Sequence, residues 1–256
     1  ENFSVAQAIN SLGQLAGYSD YNQFESTHAV LWSGETLHDL GTLPGGSLSQ
    51  ANGINDLSQI AGFANSKDFE PHAVLWTLAS GMRDLGTLPG GYYSQGLAIN
   101  AATQVVGFSN AADGQWHGFI WSHSTGMRTL PNLPGPSSAS ANAIDDAGEV
   151  AGGSGNFAVL WHNDLKHTAE SLGALPGQGW SSAFGMNDLG QVVGWSGFIA
   201  FVWSRETGME DLNSLIPPNS GWTLTQANAI NLRGEITGQG NINGEQHGFL
   251  LTPTSQ

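Results

Sequence analysis

One phrase recurs six times along this chain, and its period constrains the fold more tightly than any other feature. A copy runs Ala-x-Ala-Ile-Asn, a polar turn closing on Gly, Gln-Ile-Ala-Gly, a loop, His-Ala-Val-Leu-Trp, a second turn, then Asp-Leu-Gly-Thr-Leu-Pro-Gly-Gly. The Asn that ends the first phrase falls at Asn10, Asn55, Asn100, Asn187 and Asn231, with Asp145 standing in for it in the fourth copy. Successive intervals are 45, 45, 45, 42 and 44 residues. Such a period marks a repeat architecture whose unit is one supersecondary element.

Each unit reads as four short extended segments. The first is represented by 7–10, 52–55 and 97–100, and the second by 14–17, 59–62 and 104–107. Asn/Asp-rich turns closing on Gly join them and suit tight hairpins. The third is the apolar run 29–32 with its copies, and the fourth is 37–43 with its relatives. No window sustains a 3.6-residue apolar period, and Gly and Pro interrupt every candidate helix. Four strands in a unit of this length make one blade of a β-propeller.

The sequence therefore predicts an all-β, six-bladed β-propeller forming a single domain over 1–256, with repeats near 4–46, 47–91, 92–135, 136–177, 178–218 and 219–251. The small Ala-x-Ala phrase is assigned to the innermost strand, and the Val-Leu-Trp phrase to a strand buried on both faces. The sixth copy stops at Leu251-Thr252-Pro253 with no Asp-Leu-Gly-Thr-Leu phrase after it. The last blade is accordingly expected to have three strands, unless a fourth comes from upstream of this sequence.

Composition narrows the function classes. Net charge is −15, and the six basic side chains (Lys67, Arg83, Arg128, Lys166, Arg205 and Arg233) are scattered among the repeats. No basic stripe exists to neutralise phosphates, so nucleic acid is not an expected partner. There is no cysteine, hence no disulfide or thiolate chemistry. No apolar run reaches membrane-spanning length, and no membrane insertion is expected. Few lysines and abundant Gly, Asn, Ser and Thr lean toward an extracellular protein, whose signal peptide is expected to have been removed ahead of Glu1.

The phrase His-Ala-Val-Leu-Trp, followed by Asp-Leu-Gly-Thr-Leu-Pro-Gly-Gly and Ala-x-Ala-Ile-Asn-x-x-Gly-Gln, resembles the HAF-repeat family of bacterial repeat proteins. The resemblance runs from Ser4 to Leu251 and implies a secreted or cell-surface location. It brings no reaction and no catalytic residues. Repeats four and five depart from it, with Phe157 and Ile199 where His is expected.

His28, His72, His117 and His247 recur at equivalent positions. One imidazole per blade does not converge as a zinc site requires, so each is assigned to tying strands within its blade, through a backbone carbonyl or a neighbouring Asp such as Asp39, Asp84 or Asp211. Trp32, Trp76, Trp121, Trp161 and Trp203 are assigned as wedges between blades. No cofactor, metal ligand or catalytic residue is assigned.

Recognition is then sought in what does not repeat. Tyr21, Phe69, Tyr92, Tyr93, Trp116, Trp180 and Trp222 lie in second-to-third loops or crossovers, and antiparallel strand order puts these at one end of the blades. Acids and amides such as Asp68, Glu70, Asp113 and Gln178 interleave with them. Planar rings beside carboxylates and amides suit carbohydrate stacking, and they suit a protein interface equally. The expected function is thus an extracellular, non-enzymatic binding module for a glycan or protein partner. Two alternatives stand beside it. One is a self-associating structural surface protein with an unpaired strand edge. The other is a polysaccharide-degrading enzyme using acids such as Asp68 with Glu70, or Asp145, Asp146 and Glu149.

Overall fold

The structure, a computed structural model, describes residues 3–21, 26–135 and 138–254. It has the fold of a six-bladed β-propeller: five four-stranded antiparallel sheets and a sixth of three strands. Contacts divide the chain into two compact units, Glu1–Leu130 and Pro131–Gln256, with three blades in each.

In the first unit, blade 1 comprises β1 (Ser4–Ile9), β2 (Leu15–Tyr21), β3 (Ser26–Ser33) and β4 (Thr36–Asp39). Blade 2 comprises β5 (Ser49–Ile54), β6 (Ile60–Asn65), β7 (Pro71–Thr77) and β8 (Gly81–Gly86). Blade 3 comprises β9 (Ser94–Ile99), β10 (Val105–Asn110), β11 (Trp116–Ser122) and β12 (Gly126–Thr129). In the second unit, blade 4 comprises β13 (Ala139–Ile144), β14 (Val150–Ser154), β15 (Phe157–Trp161) and β16 (Ala169–Gly173). Blade 5 comprises β17 (Ser181–Met186), β18 (Val192–Ser196), β19 (Ile199–Ser204) and β20 (Gly208–Asp211), followed by a 3-10 turn at Leu212–Ser214. Blade 6 has only β21 (Trp222–Ile230), β22 (Ile236–Ile242) and β23 (Glu245–Leu251).

The strand boundaries differ from the expected ones in an instructive way. The repeated Asn is not part of the first strand but sits just past it, capping the hairpin. In blade 2, Asn55 Oδ1 accepts from the amides of Leu57 and Gln59, and its Nδ2 donates to Gln59 Oε1. The fourth strand of blade 1 ends at Asp39, four residues before the expected Leu43, because Gly41 turns the chain out of the sheet at φ 70°. The second strand does not stop at the Gly of Gln-Ile-Ala-Gly but runs on beyond it, to Asn65 in blade 2.

That Gly is fixed by a bulge in the first strand. The register slips between Ala51 and Gly53 opposite β6, and again between Ala141 and Ala143 opposite β14. The extra residue of a bulge pushes its strand toward the partner. A Cβ at Gly62 or Gly152 would overlap the carbonyl oxygen of Gln50 or Ser140 respectively.

First strands of successive blades adjoin within each unit, β5 against β9 and β13 against β17. This approach explains the small Ala-x-Ala phrase: a Cβ on Gly53 would lie 2.9 Å from the Leu97 carbonyl oxygen. Third strands form the centre of the apolar clusters that join neighbouring blades. Leu31, Ile60, Val74 and Trp76 share one, and Leu75, Leu88, Phe119 and Trp121 another. Leu160, Leu175, Phe201 and Trp203 do the same in the second unit. Four of the repeated tryptophans are buried as assigned, whereas Trp32 is half-buried. Their indoles also hold the segment that leads into their own blade: Trp76 Nε1 donates to the Leu40 carbonyl at 3.0 Å, and Trp161 Nε1 to that of Pro131 at 2.7 Å.

A lock between blades repeats with the sequence period. Asn10 Nδ2 donates to the Asn55 carbonyl, Asn55 Nδ2 to that of Asn100, and Asn187 Nδ2 to that of Asn231, at 2.9–3.1 Å. Each Asn therefore closes its own hairpin and holds the next blade with one side chain. Buried serines form another lock. Ser49 Oγ accepts from Ala29 N–H and donates to the Gly41 carbonyl, tying blade 2 to the third strand and crossover of blade 1; Ser94 serves Ala73 and Gly86 likewise.

Candidate ligand-binding site

The repeated His and Asp residues belong to the scaffold. His28 Nδ1 lies 3.0 Å from both carboxylate oxygens of Asp39, and His72 Nδ1 lies 3.0 and 3.1 Å from those of Asp84, joining third strand to fourth within a blade. In blade 3 the fourth strand offers Thr129 opposite Phe119, and His117 instead places Nε2 3.0 Å from Asp113 in the second-to-third loop. Among the described residues no three His, Asp or Glu converge on a point where a metal ion could sit.

The His72–Asp84 pair has a definite pH signature. The hydrogen bond to Asp84 raises the His72 pKa against the opposing effect of burial. Burial by itself would raise Asp84, but its bonds to His72 and the Gly86 amide outweigh that and lower it. The stabilisation from His72 is complete below the ordinary imidazole pKa and is lost as pH rises through the raised value. That from Asp84 is lost as pH falls through the lowered one. The melting-temperature gap between the wild type and His72→Gln is therefore expected to peak near about pH 5–6 and to narrow on both sides. Solvent screening keeps it small, since Asp84 is 44% exposed. Thermal unfolding across a pH series measures it.

What does not repeat gathers into aromatic clusters at the crossover end of individual blades. In blade 3, Tyr93 stacks on Phe108 with centroids 6.1 Å apart, and Trp116 meets both edge-on at 5.2 and 5.5 Å. The side chain of Gln95 bonds the Tyr93 hydroxyl, and burial pushes that phenol's pKa up. Asn110 Oδ1 accepts from the amides of both Tyr92 and Tyr93, which fixes the crossover that carries them. Tyr92 is left 58% exposed, and Trp116 keeps a partly open face.

Blade 5 builds a second cluster from different positions. Trp180, in the crossover before β17, meets Trp195 and Phe198 edge-on at 6.5 and 6.1 Å, and Trp195 stacks on Phe198 at 6.2 Å. Phe198 sits in the two-residue turn between β18 and β19, at φ 70° after Gly197 at φ 55°. A bulky residue in the left-handed region is uncommon and costs about 1–2 kcal/mol. Phe69, at the tip between β6 and β7, adopts φ 60° as well. Both rings are turned out to solvent, Phe69 76% and Phe198 71% exposed.

Of the residues predicted to bind, Tyr92, Tyr93 and Trp116 come together in blade 3, Trp180 belongs to the blade 5 cluster, and Phe69 stands at its own loop tip. Trp222 is the first residue of β21 rather than part of a loop, and packs edge-on against His247 and Phe249, each at 6.5 Å. Tyr21 ends β2, and its side chain lies outside the described residues. Sequence reasoning missed Phe108, Trp195 and Phe198. A Gly-Phe pair filling a two-residue turn, where polar residues are the rule, was the available signal for Phe198.

The acids considered for hydrolysis are placed differently. Glu149 Oε1 is held by Arg205 at 2.6 Å and by His162 Nδ1 at 3.1 Å. Asp145 Oδ1 accepts from the Glu149 amide at 2.7 Å, and burial holds its carboxyl above the usual range. Both lie at the first-to-second hairpin end of blade 4, opposite to the end where its second-to-third loop lies. Asp68 and Glu70 are exposed on either side of Phe69.

No family model matches the chain, and no curated protein sequence matches it. Among solved structures, TolB from Acinetobacter baumannii is similar at a TM-score of 0.51 and 9% identity, over 81% of this chain and 53% of that one. The chain thus spans about half the length of that TolB, and the likeness is one of fold alone. AofleA from Arthrobotrys oligospora aligns at a TM-score of 0.42 and 10% identity, over 98% and 86% of the two chains. The class defined by fold and site is a β-propeller carrying blade-specific aromatic clusters.

Proposed function

We propose that this chain is an extracellular, non-enzymatic binding module of the HAF-repeat kind, recognising a glycan through the aromatic clusters at the crossover end of its blades. The observation that carries this reading is the contrast between repeated and unrepeated side chains. Repeated His, Asp, Asn, Ser and Trp residues are consumed by hydrogen bonds and packing within and between blades. The rings of Tyr92, Trp116, Trp180, Phe69 and Phe198 stay partly or largely exposed, even where they pack within a cluster of their own blade. Two of them are presented from a strained left-handed backbone, a cost that points to function more readily than to packing. A flat ring offers the apolar face of a sugar a stacking surface, and the neighbouring Asp113, Gln95 and Gln178 offer hydrogen bonds to hydroxyls.

Titration with a panel of oligosaccharides is expected to shift the intrinsic tryptophan emission. The shift should vanish in Trp116→Ala or Trp180→Ala for sugars bound at the respective cluster. Release of reducing ends from any polysaccharide in the panel, or an emission unchanged by every sugar, would refute the reading.

A further inference from the structure

The amides that cap the first hairpin of the repeat are exchanged for acids in one blade. Every other copy has Asn at the cap, and only blade 4 carries an acid both there, at Asp145, and four residues on, at Glu149. Asn55 shows what the amide does elsewhere. Its Oδ1 accepts from Gln59 N–H, and its Nδ2 donates to Gln59 Oε1 at 2.7 Å and to the Asn100 carbonyl of the next blade at 2.9 Å. Asn10 and Asn187 make the same two donations.

The backbone of the blade 4 hairpin matches the others. Asp145 N–H donates to the Glu149 carbonyl and Gly148 N–H to that of Asp145, as Asn55 does with Gln59 and Ser58 with Asn55. Neighbouring hairpins also meet alike: Asp146 N–H donates to Asp188 Oδ1 at 2.8 Å, as Ser11 N–H does to Asp56 Oδ1. Asp145 Oδ1 accepts from Glu149 N–H, the part played by the Asn Oδ1. Its Oδ2 therefore stands in the place of the amide nitrogen, where the repeat puts a donor toward the carbonyl of the next blade, here that of Asn187. A carboxylate donates nothing, whereas a carboxylic acid donates one hydrogen.

The surroundings favour the acid form. Asp145 is buried, Glu149 faces it from its own hairpin and Asp188 from that of blade 5, and Asp146 is exposed beside it in the turn. Burial above all, then the charges of Glu149 and Asp188, raise its pKa. The cationic groups nearby are directed at other acids: Arg205 and His162 Nδ1 both meet Glu149 Oε1, and His162 Nε2 lies 2.9 Å from Glu170.

We infer that the joint between blades 4 and 5 is closed by a proton: neutral Asp145 donates its Oδ2–H to the Asn187 carbonyl, and ionisation releases that bond. One hydrogen serves one acceptor, and Glu149 already receives Arg205 and His162, which leaves the carbonyl. The chain thus holds one joint that tightens in acid beside amide joints that do not titrate. Its stabilisation is complete below the ordinary carboxylate pKa of about 4 and is lost as pH rises through the raised value.

Two measurements on the whole chain test this. Asp145→Asn supplies the donor at every pH, so at pH 8 it should melt about 2–4 °C above the wild type, and the gap should close toward pH 4. In the wild type labelled with ¹³C at Asp and Asn, the Asp145 carboxyl should titrate above about 4, and the Asn187 carbonyl should shift with the same midpoint. The inference is overturned if Asp145→Asn melts no higher at pH 8, if the gap is constant across the series, if Asp145 titrates at or below about 4, or if the Asn187 carbonyl does not follow it. None of these outcomes touches the glycan reading, which concerns residues at the other end of the blades.

Discussion

Gly152→Ala is expected to destabilise the protein by about 4 kcal/mol or more, while Gly153→Ala, one residue along the same strand, should cost about 1 kcal/mol or less. The two glycines differ only in what stands opposite. At Gly152 a methyl group would run into the Ser140 carbonyl and come within 3.1 Å of the Ala141 Cα, all of it backbone held by the β13 bulge. Neither strand can retreat without breaking ladder hydrogen bonds. At Gly153 the methyl would meet only the Ser182 side chain, with Oγ at 3.1 Å, and a hydroxyl can turn away. Denaturant unfolding of the pair measures the difference. The same steric argument holds at Gly17, Gly62, Gly107, Gly194 and Gly238, so each should be as intolerant as Gly152.

The second large effect is expected at the Asn lock. Asn187 is 5% exposed and makes four hydrogen bonds: Nδ2 to Gln191 Oε1 and the Asn231 carbonyl, Oδ1 from the amides of Leu189 and Gln191. Asn187→Ala strands several of these partners at once in a dry environment, for an expected loss of about 3 kcal/mol. Asn231 keeps the cap on its own hairpin, through Arg233 N–H, Glu235 N–H and Glu235 Oε2, but it is exposed to water that can replace those partners. Asn231→Ala should cost about 1 kcal/mol. Equal losses at the two positions would mean that the hairpin cap, not the tie to the next blade, carries the energy.

The sequence made blade number and strand count legible because the repeat prints each structural need six times. It did not reveal how the repeated residues act. Nothing in Gln-Ile-Ala-Gly says that its Gly lies mid-strand against a bulge, since the bulge is formed by the other strand. Nothing in Ala-x-Ala-Ile-Asn says that the Asn amide reaches a carbonyl one repeat away. The pairing of His28 with Asp39 was legible, because both recur at fixed spacing, whereas His117 found Asp113 only because Thr129 replaced the usual acid. At the candidate site, loop aromatics such as Tyr92 and Trp180 stood out as departures from the repeat. Phe108 did not, and Trp195, although it too departs from the repeat, was given no place at this end, because both occupy strand positions and join the clusters through side-chain direction across the sheet.

The account rests on a division of labour between residues that recur and residues that do not. Calorimetric titration with the oligosaccharide panel, run beside thermal unfolding on Tyr92→Ala, Trp180→Ala, His28→Ala and His72→Ala, tests it most directly. The first two variants should lose sugar binding and melt close to the wild type; the last two should melt lower and, while folded, bind as the wild type does. Binding abolished in a folded His28 or His72 variant, with Tyr92 and Trp180 dispensable, would contradict it.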